Sequence, residues 1–236
     1  MAISIGENNN IASSVIIYEN VIIGNNNFIG ENVILYPNTI IGNNNNIFNG
    51  NIIGEFPVNS DDKFKIYDLK TCKGVSIGNN NLFHVKNIIF AGIDNPTFIG
   101  NNNKLLAEIH ISHDVYIGNN VTFYPKAASA GYCRFLDYSN IGMSAVIHQK
   151  RVVGQYTMIG ANCTITKNAF PYFIHINNKI TRLNKAKISN EISENEISLR
   201  KLYINFLEKN YEIDKYNLPQ IIKNDIYEFI ENIKKI

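Results

Sequence analysis

The sequence predicts an all-β fold, a parallel β-helix of hexapeptide repeats wound as a three-sided prism, followed by a small α-helical region. Three observations predict it. An apolar residue recurs at every sixth position, a glycine often follows it, and asparagines cluster in between. A helix repeats every 3.6 residues and a half-buried strand every 2, so a period of six fits a short strand plus a turn.

The series runs Ile5, Ile11, Ile17, Ile23, Ile29, Leu35, Ile41, Ile47 and Ile53, and resumes at Ile77, Phe83 and Ile89. It shifts again at Asp94-Asn95-Pro96-Thr97. From Ile99 it continues in sixes through Leu105, Ile111, Ile117, Phe123, Ser129, Phe135, Ile141, Ile147, Val153, Ile159 and Ile165, with Ser129 the one polar member. One inward apolar residue per six can stack on its equivalents only if the chain coils. The 24 repeat starts, three per turn, predict about eight coils, roughly 40 Å of prism at about 4.8 Å per coil. Glycine after the inward residue suits a crowded corner or a positive φ. Asparagine tolerates left-handed dihedrals and bonds to nearby backbone, so its clusters read as corner chemistry.

The repeat domain is expected over 1–172, with a projecting loop at 56–74 that abandons the pattern and is rich in lysine. Long loops on regular scaffolds commonly carry function. Residues 173–236 are expected to be helical. Ser193-Glu194-Asn195-Glu196 reads as a capping box opening a helix with Ile197, Leu199, Leu202, Tyr203, Phe206 and Leu207 on its apolar side. A second helix is expected from about Asn217-Leu218-Pro219, with Ile222, Ile226, Phe229, Ile230 and Ile233 inward. Both should pack on the prism's end or on a neighbouring subunit. Lys223, Lys234 and Lys235 read as solvated surface, or as a landing patch for an acidic carrier protein.

Composition narrows the function. Apolar residues make up 45% and the formal charge is +2, from 22 basic and 20 acidic residues. There is no electrostatic case for a nucleic-acid partner. The N-terminal residues lack the pattern of a signal peptide, and no apolar run approaches the roughly 20 residues that span a bilayer. Cys72, Cys133 and Cys163 are odd in number and far apart, which fits free thiols in a reducing cytoplasm.

Chemistry concentrates in EIHISHDVYIG, residues 108–118, where histidines replace the usual asparagines. His113 follows Ile111 by two places, with Asp114 beside it to orient and polarise the imidazole. An imidazole there can take a proton from a hydroxyl or an amine. His148 lies 35 residues on, one short of two 18-residue coils, so it should share the same edge about 10 Å away. That separation frames a cleft. His110 and His113 supply two potential zinc ligands, but spacing places no third, so no metal is expected. His84 and His175 read as tolerated polar positions on solvent-facing repeats.

The hexapeptide pattern resembles the left-handed β-helix family, whose members are nearly all acyltransferases and usually trimers. A closer resemblance rests on HISHDVYIGNN, SAGY, IGMSAVIHQKRVVG and FPYFI, which occur in order and at matching separations. Together with DDKF in the loop, they are similar to the UDP-N-acetylglucosamine acyltransferases. Those enzymes start lipid A (lipopolysaccharide) synthesis by moving a 3-hydroxyacyl chain from acyl carrier protein to the sugar 3-hydroxyl. The resemblance implies His113 as general base, Asp114 as its partner, and Gly131 as the backbone N–H donor to the thioester oxyanion. It places His110, His148, Gln149 and Lys63 on the nucleotide sugar or acyl donor, Lys65 competing with Lys63, and Ala161 at the acyl-length position. It also implies a homotrimer with intersubunit sites, no tightly bound cofactor, and acyl carrier protein or CoA as the donor.

The departures bear on substrate. Tyr132 replaces a family histidine and is placed in the substrate shell; Pro125-Lys126 replaces an asparagine pair; Met143 replaces a glycine. The family's basic cluster for UDP has no counterpart in NKAKISNEISENEIS. An acetyl- or short-acyl-CoA N-acyltransferase of a nucleotide-linked amino sugar therefore stands as an alternative. So does a hexapeptide scaffold that binds a sugar nucleotide or partner without turnover.

Overall fold

The computed structural model describes residues 3–58 and 71–236. Three parallel sheets form the sides of a left-handed β-solenoid of about nine turns. The first sheet runs from Ser4–Ile5 to Val152–Val153 in eight strands, and the third from Ile16–Ile17 to Thr164–Ile165 in eight. The second begins at Asn10–Ile11 and has ten, because Phe173–Ile176 adds in parallel and Lys179–Leu183 closes it antiparallel. Phe173–Ile176 stacks a layer beyond the eight coils expected from the repeat count, and Lys179–Leu183 caps it.

Register follows the six-residue series. Ile99 pairs with Ile117, and Ile111 with Ser129, which in turn pairs with Ile147. Every inward residue from Ile23 to Ile165 is buried, Ser129 included. Only the first coil departs, where Ile5 has no coil beneath it and is 48% exposed. His175 takes the inward place in register with Ile159; it is buried, with Nε2 against the Phe170 carbonyl at 3.0 Å. It is therefore not on a solvent-facing repeat, and burial pushes its pKa down to about 4.

The corners explain the asparagines in two ways. The third residue after most inward positions has φ near +57°, as at Asn26, Asn44, Asn102 and Asn120. Asparagine adopts this left-handed region at little cost. The asparagine just before the next strand serves differently, because its side chain links coils. Asn81 Nδ2 donates to Gly100 O at 2.9 Å and its Oδ1 accepts from Asn103 N at 2.8 Å; the same ladder repeats at Asn27, Asn45 and Asn103. Most glycines after the inward residues answer to crowding; Gly54, at φ +87°, answers to positive φ as well. A Cβ on Gly100 would lie 2.5 Å from Gly118 O.

Three helices close the chain: α1 (Asn190–Glu194), α2 (Glu196–Leu207) and α3 (Gln220–Lys234). The expected capping box does not form. Ser193 sits inside α1, whose N-cap is Ser189, and Asn195 caps α2 without a side-chain bond. With Ser193 Oγ bonded to Ser189 O, the side chain serves the preceding turn. Ile197 is 72% exposed, so the buried face of α2 is Leu199 and Leu202. Pro219 is the N-cap of α3, which buries Ile222, Ile226, Phe229 and Ile230. These residues pack with Leu136, Val152, Phe170 and Phe173, so the helices cover the last coils of their own chain.

The ladder and the left-handed corner should separate in stability measurements. Asn81→Ala leaves Gly100 O and Asn103 N–H buried and unpaired, a loss of about 2–4 kcal/mol. Asn44→Gly keeps the φ of +57° available and should stay within roughly 0.5 kcal/mol of wild type. Denaturant unfolding reads both.

Candidate active site

The edge where the third sheet hands over to the first collects every break in the repeat. The repeat stops after Glu55 and resumes at Val75 on that edge, and the 91–96 turn between Ile88–Phe90 and Thr97–Ile99 lies there too. The next three coils place His113-Asp114, Gly131-Tyr132 and Gln149-Lys150 on the same edge, with Asp114, Tyr132 and Lys150 at the left-handed position. Chemistry-bearing side chains therefore stack one coil apart.

Asp114 is the anchor. Its side chain is 1% exposed and accepts four hydrogen bonds. Oδ2 takes Ile93 N–H at 2.8 Å, and Oδ1 takes Asp94 N–H at 2.9 Å and Asn95 N–H at 2.7 Å. The fourth comes from His113 Nδ1, 3.0 Å from Oδ2. The 91–96 turn thus forms a backbone nest for a carboxylate. It can be this tight because Gly92 has no Cβ; one would lie 1.6 Å from Asn95 O. Burial alone would raise the Asp114 pKa, but the His113 bond and the three N–H groups outweigh it and hold the carboxyl below the usual aspartate range. An ionised carboxylate only accepts, so in the neutral imidazole the dyad assigns the proton to Nδ1 and leaves Nε2 with its lone pair.

Gly131 forms the floor under that ring. A Cβ there would meet His113 Cε1 at 2.7 Å and Nε2 at 2.8 Å, so a side chain would displace the imidazole. No acceptor among the described residues takes up the Gly131 N–H, although the residue is buried. Buried, unpaired backbone N–H groups are rare in native proteins. Tyr132 meets the His113 ring edge-on at 5.1 Å and donates its hydroxyl to Asp94 Oδ2 at 2.6 Å. Beside the dyad a cleft of about 490 Å³ is lined by Asp94, Phe98, Tyr116, Arg134, Lys150 and Lys235, among others.

The other expected residues fall in three places. His148 and Gln149 are exposed on the same edge two coils from His113, as the arithmetic requires, with His148 Nδ1 3.2 Å from Gln149 O. His110 lies on the outer face of the third sheet against Phe90, rings 5.0 Å apart; it is exposed by area, yet local burial lowers its pKa. Ala161 is exposed on a different edge, between the second and third sheets, away from His113 in the same chain. Lys63 and Lys65 lie outside the described residues. Among those residues there is no group of three potential metal ligands, and no helix is long and apolar enough to cross a membrane. Cys72, Cys133 and Cys163 are buried and unbridged, and burial pushes the Cys133 thiol up to about 11.

Sequence reasoning missed the 93–95 nest and Arg134. The shift in period at Asp94 was the available signal for the first. Arg134 occupies an ordinary outward position, with nothing to distinguish it.

The molecule is a left-handed β-helix of hexapeptide repeats with a His–Asp dyad on one edge, the architecture of hexapeptide acyltransferases. More particularly, it resembles the UDP-N-acetylglucosamine acyltransferases. No known family profile matches it. Over 106 residues it is 34% identical to the acyl-(acyl-carrier-protein)–UDP-N-acetylglucosamine O-acyltransferase of Nautilia profundicola, which covers 44% of this chain and 41% of that relative. The chain thus spans less than half the length of this curated relative. The UDP-N-acetylglucosamine acyltransferase of Bacteroides fragilis superposes with a TM-score of 0.68 at 28% identity, covering 95% of this chain and 96% of that one. The enzyme from Campylobacter jejuni shares the fold with a TM-score of 0.80 at 24% identity, covering 98% and 92%.

The Asp114 bonds predict a specific acid dependence. Its lowered folded pKa contributes stability that is complete above the ordinary value of 3.8 and is lost as pH falls through the lower folded value. Asp114→Asn points an NH2 group at N–H donors and should cost about 2–3 kcal/mol at pH 7. In urea unfolding followed against pH, the gap between wild type and variant should narrow only in that acid range.

Proposed function

We propose that the chain is an acyltransferase. It moves an acyl group from a thioester donor, acyl carrier protein or CoA, to a hydroxyl of a nucleotide-activated sugar, as in the first step of lipid A assembly in the bacterial cytoplasm. The observation that carries the proposal is the His113–Asp114 dyad held in its backbone nest directly over Gly131.

The chemistry follows from that geometry. Nε2 of His113 accepts the proton of the sugar hydroxyl as its oxygen attacks the thioester carbonyl. Charge builds on the former carbonyl oxygen, and the unpaired Gly131 N–H is the donor for it. Collapse breaks the C–S bond, and the departing thiolate takes the proton back from His113. Asp114 stays ionised throughout and stabilises the transient imidazolium.

The remaining assignments rest on the resemblance and on position. His148, Gln149 and Tyr132 share the dyad's edge and are assigned to substrate, with His110 on the adjoining face; Lys63 is assigned by the resemblance alone. Ala161 would meet the acyl chain only across a subunit boundary, since its own edge is another one. That supports a homotrimer with intersubunit sites, which light scattering would report as three times the chain mass. Tyr132, tied to Asp94 where the family has a histidine, favours the second reading, N-acylation of an amino sugar from a short-chain acyl-CoA.

Replacing His113 by Ala in a protein that keeps its circular dichroism spectrum should lower acyl transfer by about 10²–10⁴-fold. Turnover near the wild-type rate would contradict the assignment of the base.

A further inference from the structure

The cleft beside the dyad is lined by three cations, on which Glu228 (for Arg134) and Glu231 (for Lys235) act only from beyond ion-pair distance. Arg134, Lys150 and Lys235 line it, and none of the three forms an ion pair among the described residues. Four cations of the helical tail are paired, Arg200 with Glu196, Lys215 with Glu212, Lys223 with Asp214 and Lys234 with Glu231, whereas Lys201 and Lys209 form no ion pair among the described residues, as Lys235 does not. Both acidic side chains on the cleft wall are already engaged. Asp114 is saturated by N–H donors, and Asp94 accepts the Tyr132 hydroxyl.

Arg134 is held in place. Its Nε donates to Asn232 Oδ1 at 2.5 Å, and its guanidinium stacks 4.3 Å above Tyr116, which stacks on Phe98 at 5.2 Å and 11°. Glu228, whose charge acts on Arg134, is bonded to Gln155 Nε2 at 2.8 Å. The terminal guanidinium nitrogens have no acceptor among the described residues. Lys150 reaches over the Tyr132 ring at 5.6 Å and lines the same cleft. A preorganised guanidinium flanked by two ammonium groups is a phosphate-binding arrangement.

The geometry points to a phosphate or pyrophosphate subsite formed by Arg134, Lys150 and Lys235 beside Asp114, in place of the basic cluster that the tail lacks. The inference rests on the acyl-transfer reading only for the source of the phosphate. A nucleotide sugar and the phosphopantetheine arm of a thioester donor both carry one, and the subsite serves whichever substrate places it next to His113.

Isothermal titration of the intact protein with inorganic pyrophosphate, UDP and 4′-phosphopantetheine tests this without turnover. Pyrophosphate should bind, more weakly as salt is raised. Binding should fall on the order of tenfold for each cation removed in Lys150→Gln, Lys235→Gln and Arg134→Gln. Arg134→Lys, which keeps the charge but not the fork, should restore part of the loss, and Lys187→Gln on the distant surface should change nothing. A matching loss for UDP alone assigns the subsite to the nucleotide sugar; a matching loss for phosphopantetheine alone assigns it to the donor. Absent pyrophosphate binding, or equal binding by wild type and the Lys150/Lys235 double variant, overturns the subsite. Because no acyl transfer is required, a binding result stands even if every donor–acceptor pair fails, and the reverse also holds.

Discussion

Each coil has to turn three corners, and most corners put one residue in the left-handed region. The rest of the structure depends on this constraint. It acts on the backbone, which asparagine meets more cheaply than other residues with a side chain, and leaves that side chain free to point outward. Other residues occupy the position where something offsets the cost of about 1–2 kcal/mol. Tyr138, Tyr156 and Tyr172 do so as a stacked column with rings 4.8 and 5.8 Å apart, and Tyr172 also donates to Asp225 at 2.5 Å. Asp114 does so with four hydrogen bonds. The same corner geometry thus serves packing on one edge and chemistry on another.

The dyad is a local consequence of a break in this regularity. In an unbroken coil the carboxamide two places after the inward residue accepts a single backbone N–H of the adjoining coil, as Asn119 Oδ1 does for Asn101, whereas Asp114 stands one place further on. Where Ile89 and Ile99 are separated by ten residues, the extra turn offers three N–H groups at once. A carboxylate suits such a nest better than a carboxamide, and an ionised Asp114 then fixes the His113 tautomer. Insertion, nest, aspartate and histidine form one chain of cause. Gly131 completes it from the next coil by leaving room for the ring.

Most of the solenoid was legible in the sequence because each inward residue is set by one local rule, seen from Ile23 to Ile165. The shared edge of His113 and His148 was legible for the same reason, since coil length converts separation into position. The nest at 93–95 was not, because its donors are backbone groups and no side-chain identity announces them. Nor was the role of Arg134, which depends on contacts with Tyr116 and Asn232, the latter 98 residues away. The tail misled at Ser193 because a capping box is a local signal. The boundary between α1 and α2 is set instead by packing Ile192 and Leu199 against the last coils. His175 misled because the added strand turned an apparently outward position inward.

The central claim is that this edge transfers an acyl group to a nucleotide sugar. Its most direct test is a mass-spectrometric screen of acyl carrier protein and CoA thioesters of several chain lengths against UDP- and dTDP-linked sugars and amino sugars. At least one pair should yield a nucleotide sugar heavier by one acyl group, formed by the wild-type protein and not by a folded His113→Ala variant. Formation of the product at equal rates by both proteins, or no acylated sugar from any pair, would contradict it.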